Sequence, residues 1–182
     1  MKLFYTGKGD RGESHIGKTK ISKTSPHIKA VGSVDELNSL LGLVKTKSSP
    51  SFSTILHDVQ EDLFIIQAHI GYAMIGKGEP PELKKEKITR LESWTDDFEK
   101  QVRPERGFVI SGTTEISAWL DYARAVARRT EIALLELKKT YKKGGLHPNI
   151  FAYLNRLSSL LYAMARASVK TSKKSESHPT YT

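Results

Sequence analysis

The sequence predicts an all-α protein, a five-helix antiparallel bundle preceded by a glycine-rich N-terminal loop. Three observations carry this. From residue 33 onward, apolar residues recur at helical spacing in five long stretches. Short Gly- and Pro-containing breakers separate those stretches. No alternating βαβ pattern occurs, so a parallel sheet is excluded, and long helices joined by short connections pack as antiparallel neighbours.

Residues 1–32 are rich in Gly, Lys, Ser and Thr, lack a sustained helical period and are interrupted by Pro26. They read as an ordered loop with a short extended piece. Ser33 followed by Glu36 is a capping box that opens the first helix through VDELNSLLGLVK, with Leu37, Leu40, Leu41 and Val44 as its apolar stripe. SPSF around Pro50 separates it from a second helix over about 52–75, whose stripe is Ile55, Val59, Leu63, Ile66 and Ile70. GKGEPP at 76–81 ends that helix, and a third, highly charged one covers about 82–102. RPERGFVISGTT follows as a connection with an apolar centre, Phe108-Val109-Ile110. The fourth helix runs over about 113–141, on Ile116, Leu120, Ala123, Ala127, Leu134 and Leu137. KKGGLHP closes it, and the last helix spans about 148–170. The polar stretch 171–182 is expected to be a disordered tail, which leaves 1–170 as a single domain without internal repeats.

Composition narrows the function classes. The chain has 182 residues and no cysteine, which excludes thiol catalysis, disulfides and zinc–thiolate sites. No apolar run approaches the ~20 residues of a membrane span, and MKLFYTGKGD lacks the apolar core of a signal peptide, so a cytoplasmic, membrane-free setting is expected. A net charge of +9 favours anionic partners, nucleic acid or phosphorylated small molecules, although many lysines sit in stretches that read as helix surfaces and ends.

The segment YTGKGDRGESHIGKT satisfies two nucleotide patterns at once. Gly7, Gly9 and Gly12 fit G-x-G-x-x-G, and Gly12 to Thr19 fits G-x-x-x-x-G-K-[ST]. Each requires a buried strand before it and a helix directly after it, and the flanks MKLFY and KISKTSP supply neither. The residues still carry chemistry. Gly7, Gly9, Gly12 and Gly17 permit tight turns whose N–H groups bind anions. Lys8, Arg11, Lys18, Lys20 and Lys23 add positive charge, and Thr6, Asp10 and Ser14 offer oxygen ligands. A triphosphate cradle and a flexible basic arm are equally compatible with this segment.

In the fourth helix, Arg124, Arg128 and Glu131 fall at i, i+4 and i+7 on one face, with Arg129 about a quarter turn away. Two arginines one turn apart make a fork for phosphate oxygens. A solvated charged stripe is the ordinary alternative, but Ala123, Ala125 and Ala127 would let a ligand or backbone come close. Asp35 suits the first turn of the first helix, where the dipole favours an anion, and it could instead hold an arginine. Asn155 is a polar amide on an otherwise apolar helix, either structural or a ligand contact. The six histidines are scattered without H-x-x-x-H spacing or an E-x-x-H motif, which argues against a di-iron bundle. His69 reads as a packed helix residue, and Asp58, Glu61 and Asp62 as a solvated face.

YTGKGDRGES, KISK, AVGSVDELNSLLG, GFVISGTTEISAWLDYARAVARRTE and YLNRLSSLLYAMAR, in this order over about residues 4 to 169, resemble the PduO-type ATP:cob(I)alamin (corrinoid) adenosyltransferases. The resemblance implies a five-helix bundle assembled as a homotrimer, with ATP lying between the N-terminal loop of one subunit and the arginine-bearing helix of the next. Thr6, Gly7, Lys8, Gly9, Asp10, Gly12 and Ser14 would surround the nucleotide, and Lys23 would approach its phosphates. Arg128, Glu131 and Asn155 would complete that site, with Mg²⁺ on the triphosphate. Asp35 would pair with Arg124 across the interface near the corrin, and Phe108 would wedge beneath the corrin ring. The family often has threonine at Ser14, histidine at Asp121 and a double glycine where ISGTT stands. The implied reaction transfers the 5′-deoxyadenosyl group of ATP to cob(I)alamin and releases triphosphate, and it brings in a corrin reductase or an adenosylcobalamin-dependent mutase as partners. The alternatives are a basic helical module binding nucleic acid, and a phosphotransferase or ATPase using the Gly12–Thr19 loop.

Overall fold

The computed structural model describes residues 4–5, 7–16, 18–76, 78–102, 107–141 and 145–181. Thr6 and Gly17, both named above as loop residues, lie outside the described residues. Five helices form: α1 Pro26–Thr46, α2 Pro50–Ile75, α3 Lys85–Val102, α4 Glu115–Lys138 and α5 Pro148–Thr171. Helix α1 packs on α2 and α4, and α5 packs on α4 and α3. The all-α, five-helix expectation therefore holds.

The start of α1 lies more than two turns before its sequence reading, with the cap at Ser25 and not Ser33. It begins at Pro26, with the Ser25 hydroxyl accepting from the Ile28 N–H at 3.3 Å. Ser33 is not a cap but an internal residue, its hydroxyl donating to the Lys29 carbonyl at 3.0 Å. Proline read as an interruption is instead favourable in a first turn, where its missing N–H has no intrahelical partner to lose. The same Ser-Pro entry opens α2 at Ser49-Pro50. Helix α2 ends on Gly76, whose φ of 68° lies in the left-handed region glycine adopts freely. Helix α3 starts three residues later than expected. Leu83 is buried ahead of it, with its carbonyl accepting from Asn149 Nδ2 at 2.9 Å, so that stretch serves as a packed connector. Helix α4 opens on a reciprocal Thr114–Ser117 box.

The phosphate-loop pattern falls on two paired strands. Strand β1 Glu13–Ile16 pairs antiparallel with β2 Thr19–Ser22, Ser14 opposite Ile21. Thr19, which the pattern needs in the first turn of a helix, is in a strand.

Asp62 corrects a second reading. It is fully buried rather than on a solvated face. Arg90 Nη2 and the Tyr153 hydroxyl each donate to its Oδ2 at 2.9 Å, and Lys87 Nζ pairs with its Oδ1. One carboxylate thereby fastens α2 to both α3 and α5. Burial and the Asp62 charge hold the Tyr153 phenol well above its usual pKa.

His69 packs inside α2 as expected, 8% exposed. Burial lowers its pKa from 6.5, opposed by a hydrogen bond with the Pro81 backbone. Because the unfolded chain then binds the proton more readily, the contribution to stability is full above that value and is lost as pH falls through the folded pKa. His27, also lowered by burial, acts in the same direction. The melting temperature should fall as pH drops below 6.5, and less steeply in His69→Gln, as thermal scans would show.

The stretch beyond α5, expected to be a disordered tail, returns to the bundle. The Ile110 N–H donates to the Ser177 carbonyl at 2.8 Å, and Glu176 pairs with Arg166 at 2.6 Å. The sequence reading saw only polarity and missed the buried cation that anchors the tail.

Candidate active site

A cleft of about 480 Å³ opens where the end of α3, the loop 107–111, α4 and α5 meet. Its wall includes Phe108, Asp121, Arg124, Arg128, Tyr162 and Arg166. Arg124 and Arg128 stand one turn apart on α4, so helical spacing alone puts both guanidinium groups on the cleft side. Arg124 sits 5.9 Å from the Tyr162 ring centroid, and its buried Nε has no hydrogen-bond partner. Arg128 is exposed. Phe108 is 76% exposed, a large ring with little packing of its own. Such a surface, cationic on one wall and aromatic on another, suits an anionic ligand attached to a broad apolar one.

Ala123 and Ala127 do not open the site. Both are fully buried and let α4 pack closely against its neighbours, while Ala125 faces solvent. Arg129 pairs instead with Glu36 of α1 at 2.6 Å, and that carboxylate raises its pKa. Glu131 accepts from Asn155 Nδ2 at 3.4 Å, so the two residues expected near the nucleotide do meet, on an exposed edge of α4 and α5. The Asn155 side-chain oxygen Oδ1 in turn accepts from Arg156 Nη1 at 2.8 Å. Asp35 is exposed on α1, and no ion pair joins it to Arg124 within the chain.

The glycine loop is built of tight turns. Gly7 and Gly12 have φ of 70° and 76°. The Asp10 N–H donates to the Gly7 carbonyl at 3.4 Å and the Gly12 N–H to the Gly9 carbonyl at 3.2 Å, so these amides are partly used by the turns themselves. The Lys23 N–H donates to the Gly12 carbonyl at 2.8 Å and closes the neck of the hairpin. A Cβ on Gly9 would lie 2.9 Å from Lys23 Nζ, so glycine is what lets that ammonium rest over the turn. Lys8 is exposed, Ser14 is half-buried in β1, and Lys20 is paired with Glu13 at 2.7 Å. Among the described residues, no cluster of three or more His, Asp or Glu could hold a metal ion.

Arg166 is the residue that sequence reasoning missed. It is 5% exposed and binds Asp121 at 2.5 Å on one side and Glu176 on the other. The signal was present as a lone arginine in the apolar run LLYAMAR, two turns of α5 beyond Ser158.

Fold and cleft together define a helical-bundle protein with an arginine-and-aromatic cleft and a glycine-rich basic hairpin. The chain belongs to the cobalamin adenosyltransferase family, whose sequence model matches residues 4–168. It is 35% identical over 169 residues to the corrinoid adenosyltransferase PduO of Citrobacter freundii, covering 90% of this chain and 49% of that protein. The Salmonella typhimurium PduO shows 34% identity, again with 49% of its length covered, so the chain spans about half the length of these curated relatives. The corrinoid adenosyltransferase of Mycobacterium leprae is 30% identical, with 91% of each chain covered. A variant PduO-type ATP:corrinoid adenosyltransferase from Lactobacillus reuteri, solved in complex with cobalamin and ATP, superposes with a TM-score of 0.90 at 25% identity, covering 98% of this chain and 97% of that one.

Proposed function

We propose that this protein transfers the 5′-deoxyadenosyl group of ATP to the cobalt of a reduced corrinoid. The observation that carries this reading is the convergence of Arg124, Arg128 and Phe108 on one cleft. In the transfer, cobalt(I) of the corrinoid substrate supplies the electron pair of the new Co–C bond. The C5′–O bond breaks, and its pair leaves with triphosphate. No protein nucleophile or general base is needed. The chain's task is to bind, orient and neutralise: Arg128, Lys23 and the loop amides face the leaving triphosphate, with Gly7, Lys8, Gly9, Asp10, Gly12, Ser14, Glu131 and Asn155 around the nucleotide. ATP enters as its magnesium complex. Phe108 covers the lower face of the corrin, keeping water and a lower ligand off cobalt. Asp35 of one subunit pairs with Arg124 of another.

That last pairing requires an assembly, and a homotrimer is the form proposed. It is supported by large apolar side chains left exposed, among them Phe64, Tyr72 and Ile75 on α2 and Ile132 and Leu135 on α4. The cytoplasm, with its ATP supply, is the compartment this reading calls for, and among the described residues no helix is long and apolar enough to cross a membrane. A corrin reductase upstream and an adenosylcobalamin-dependent mutase downstream are the partners it implies.

The test is product identification with ATP and chemically reduced corrinoid. Adenosylcorrinoid with stoichiometric triphosphate is expected, whereas ADP and phosphate would mean phosphoryl transfer. Phe108→Ala is expected to slow adenosylation at least about tenfold while the KM for ATP stays within about twofold, since the ring touches the corrin side only. A raised ATP KM with normal corrinoid kinetics would reverse that assignment.

A further inference from the structure

The segment after α5 plays no part in the mechanism above, yet its attachments converge on one place. The His178 Nδ1–H donates to the Phe108 carbonyl at 2.9 Å. The Ile110 N–H donates to the Ser177 carbonyl at 2.8 Å, so the backbone is gripped on both sides of Val109. Glu176, immediately before those two residues, pairs with Arg166, whose other bond goes to Asp121 in the cleft wall. Among the described residues, the loop so held has little else to fix it. Phe108 and Ile110 are 76% and 52% exposed, and the loop is bounded by Gly107 and Gly112 at φ of 133° and 108°, conformations that side-chain-bearing residues rarely adopt. Glycines at both ends leave the backbone free to swing, and of the three apolar side chains only the half-buried Val109 opposes that motion. Tail and cleft are also continuous in space: a second cavity of about 350 Å³, lined by Glu176 and His178, shares Val109, Tyr162 and Arg166 with the first.

We propose that residues 174–178 form a strap that positions the Phe108 loop, so that the ring stands in the cleft before a corrinoid arrives. This rests on the corrinoid reading above. Glu176, Ser177 and His178 are positioning residues: they act through the loop and touch neither substrate. Pre-setting the loop spares binding the cost of ordering it, so the effect falls on the corrinoid and not on ATP.

Two variants test this, the chain ended after Lys173 and full-length Glu176→Gln. Arg166 keeps Asp121 as a partner in both, so the bundle is retained. In the shortened chain, hydrogen exchange at the Ile110 amide should speed up, the corrinoid KM should rise about tenfold and the ATP KM should stay within about twofold. Glu176→Gln should move the corrinoid KM in the same direction by about threefold. The visible spectrum of bound cobalt(II) corrinoid, which reports axial ligation, should shift towards the ligated form in the shortened chain. An Ile110 amide still protected after truncation, or faster exchange with unchanged corrinoid KM and spectrum, overturns the strap. If the unmodified chain adenosylates no corrinoid, the functional reading fails and the strap's role in the reaction fails with it. Normal activity with unaffected variants removes the strap alone.

Discussion

Replacing Arg128 with alanine is expected to lower kcat/KM for adenosyl transfer by about 30- to 1,000-fold, equivalent to about 2–4 kcal/mol of transition-state stabilisation. In the proposed transfer the leaving group acquires charge as the C5′–O bond breaks, and a guanidinium carried on α4 would meet that charge. Arg128 is exposed on the cleft wall, so truncation creates no cavity and should leave the melting temperature nearly unchanged. Arg128→Lys keeps the charge but loses the planar fork, and should recover only part of the rate. Arg129→Ala is the matched control. That residue is exposed and committed to Glu36, so its loss should change the rate by no more than about threefold. Steady-state kinetics with saturating corrinoid separate the cases: equal losses for Arg128 and Arg129 would remove the Arg124–Arg128 fork from the chemistry.

Asp62→Ala is expected to destabilise the fold by about 3 kcal/mol, the low end for breaking a buried ion pair. The low end applies because Lys87, left without its partner, is 25% exposed and can turn to water, while Arg90, 36% exposed, keeps Asp58 at 3.4 Å. The Tyr153 hydroxyl cannot, since Tyr153 is fully buried. For a chain of this size the melting temperature should drop by about 6–12 °C. Asp62→Asn, which still offers Tyr153 an acceptor, should lose less. Glu61→Ala, one residue away and exposed, should stay within about 0.5 kcal/mol. Thermal unfolding followed by circular dichroism measures all three. A small effect at Asp62 would mean that the network carries no net stability.

What could be read from the sequence follows from the range of each signal. Helical periodicity is local and strong, so five helices and most of their apolar stripes were legible. Helix starts depend on a single residue's conformation. Pro26 can break a helix or begin one, and only the Ser25 cap decides between them. Asp62 was misread because its partners lie 25, 28 and 91 positions away, and an acidic triplet looks the same whether solvated or bridged. The arginine face of α4 was legible from spacing, whereas the hydrogen bond between Glu131 and Asn155 was not, since the resemblance implied only that both border one site. The Arg166 linkage was not, because it joins α4, α5 and the tail, and no window of sequence contains all three.

The hydrogen bond from Lys23 to Gly12 that closes the β1–β2 hairpin has a thermodynamic corollary. A glycine-rich stretch would ordinarily surrender a great deal of configurational freedom on capturing a small molecule. Here the Gly7–Asp10 and Gly9–Gly12 turns are already hydrogen-bonded and Gly12 is tied to Lys23, so less disorder remains to be lost on complexation. In the proposed function, glycine at these positions would supply room for an incoming phosphate more than pliancy.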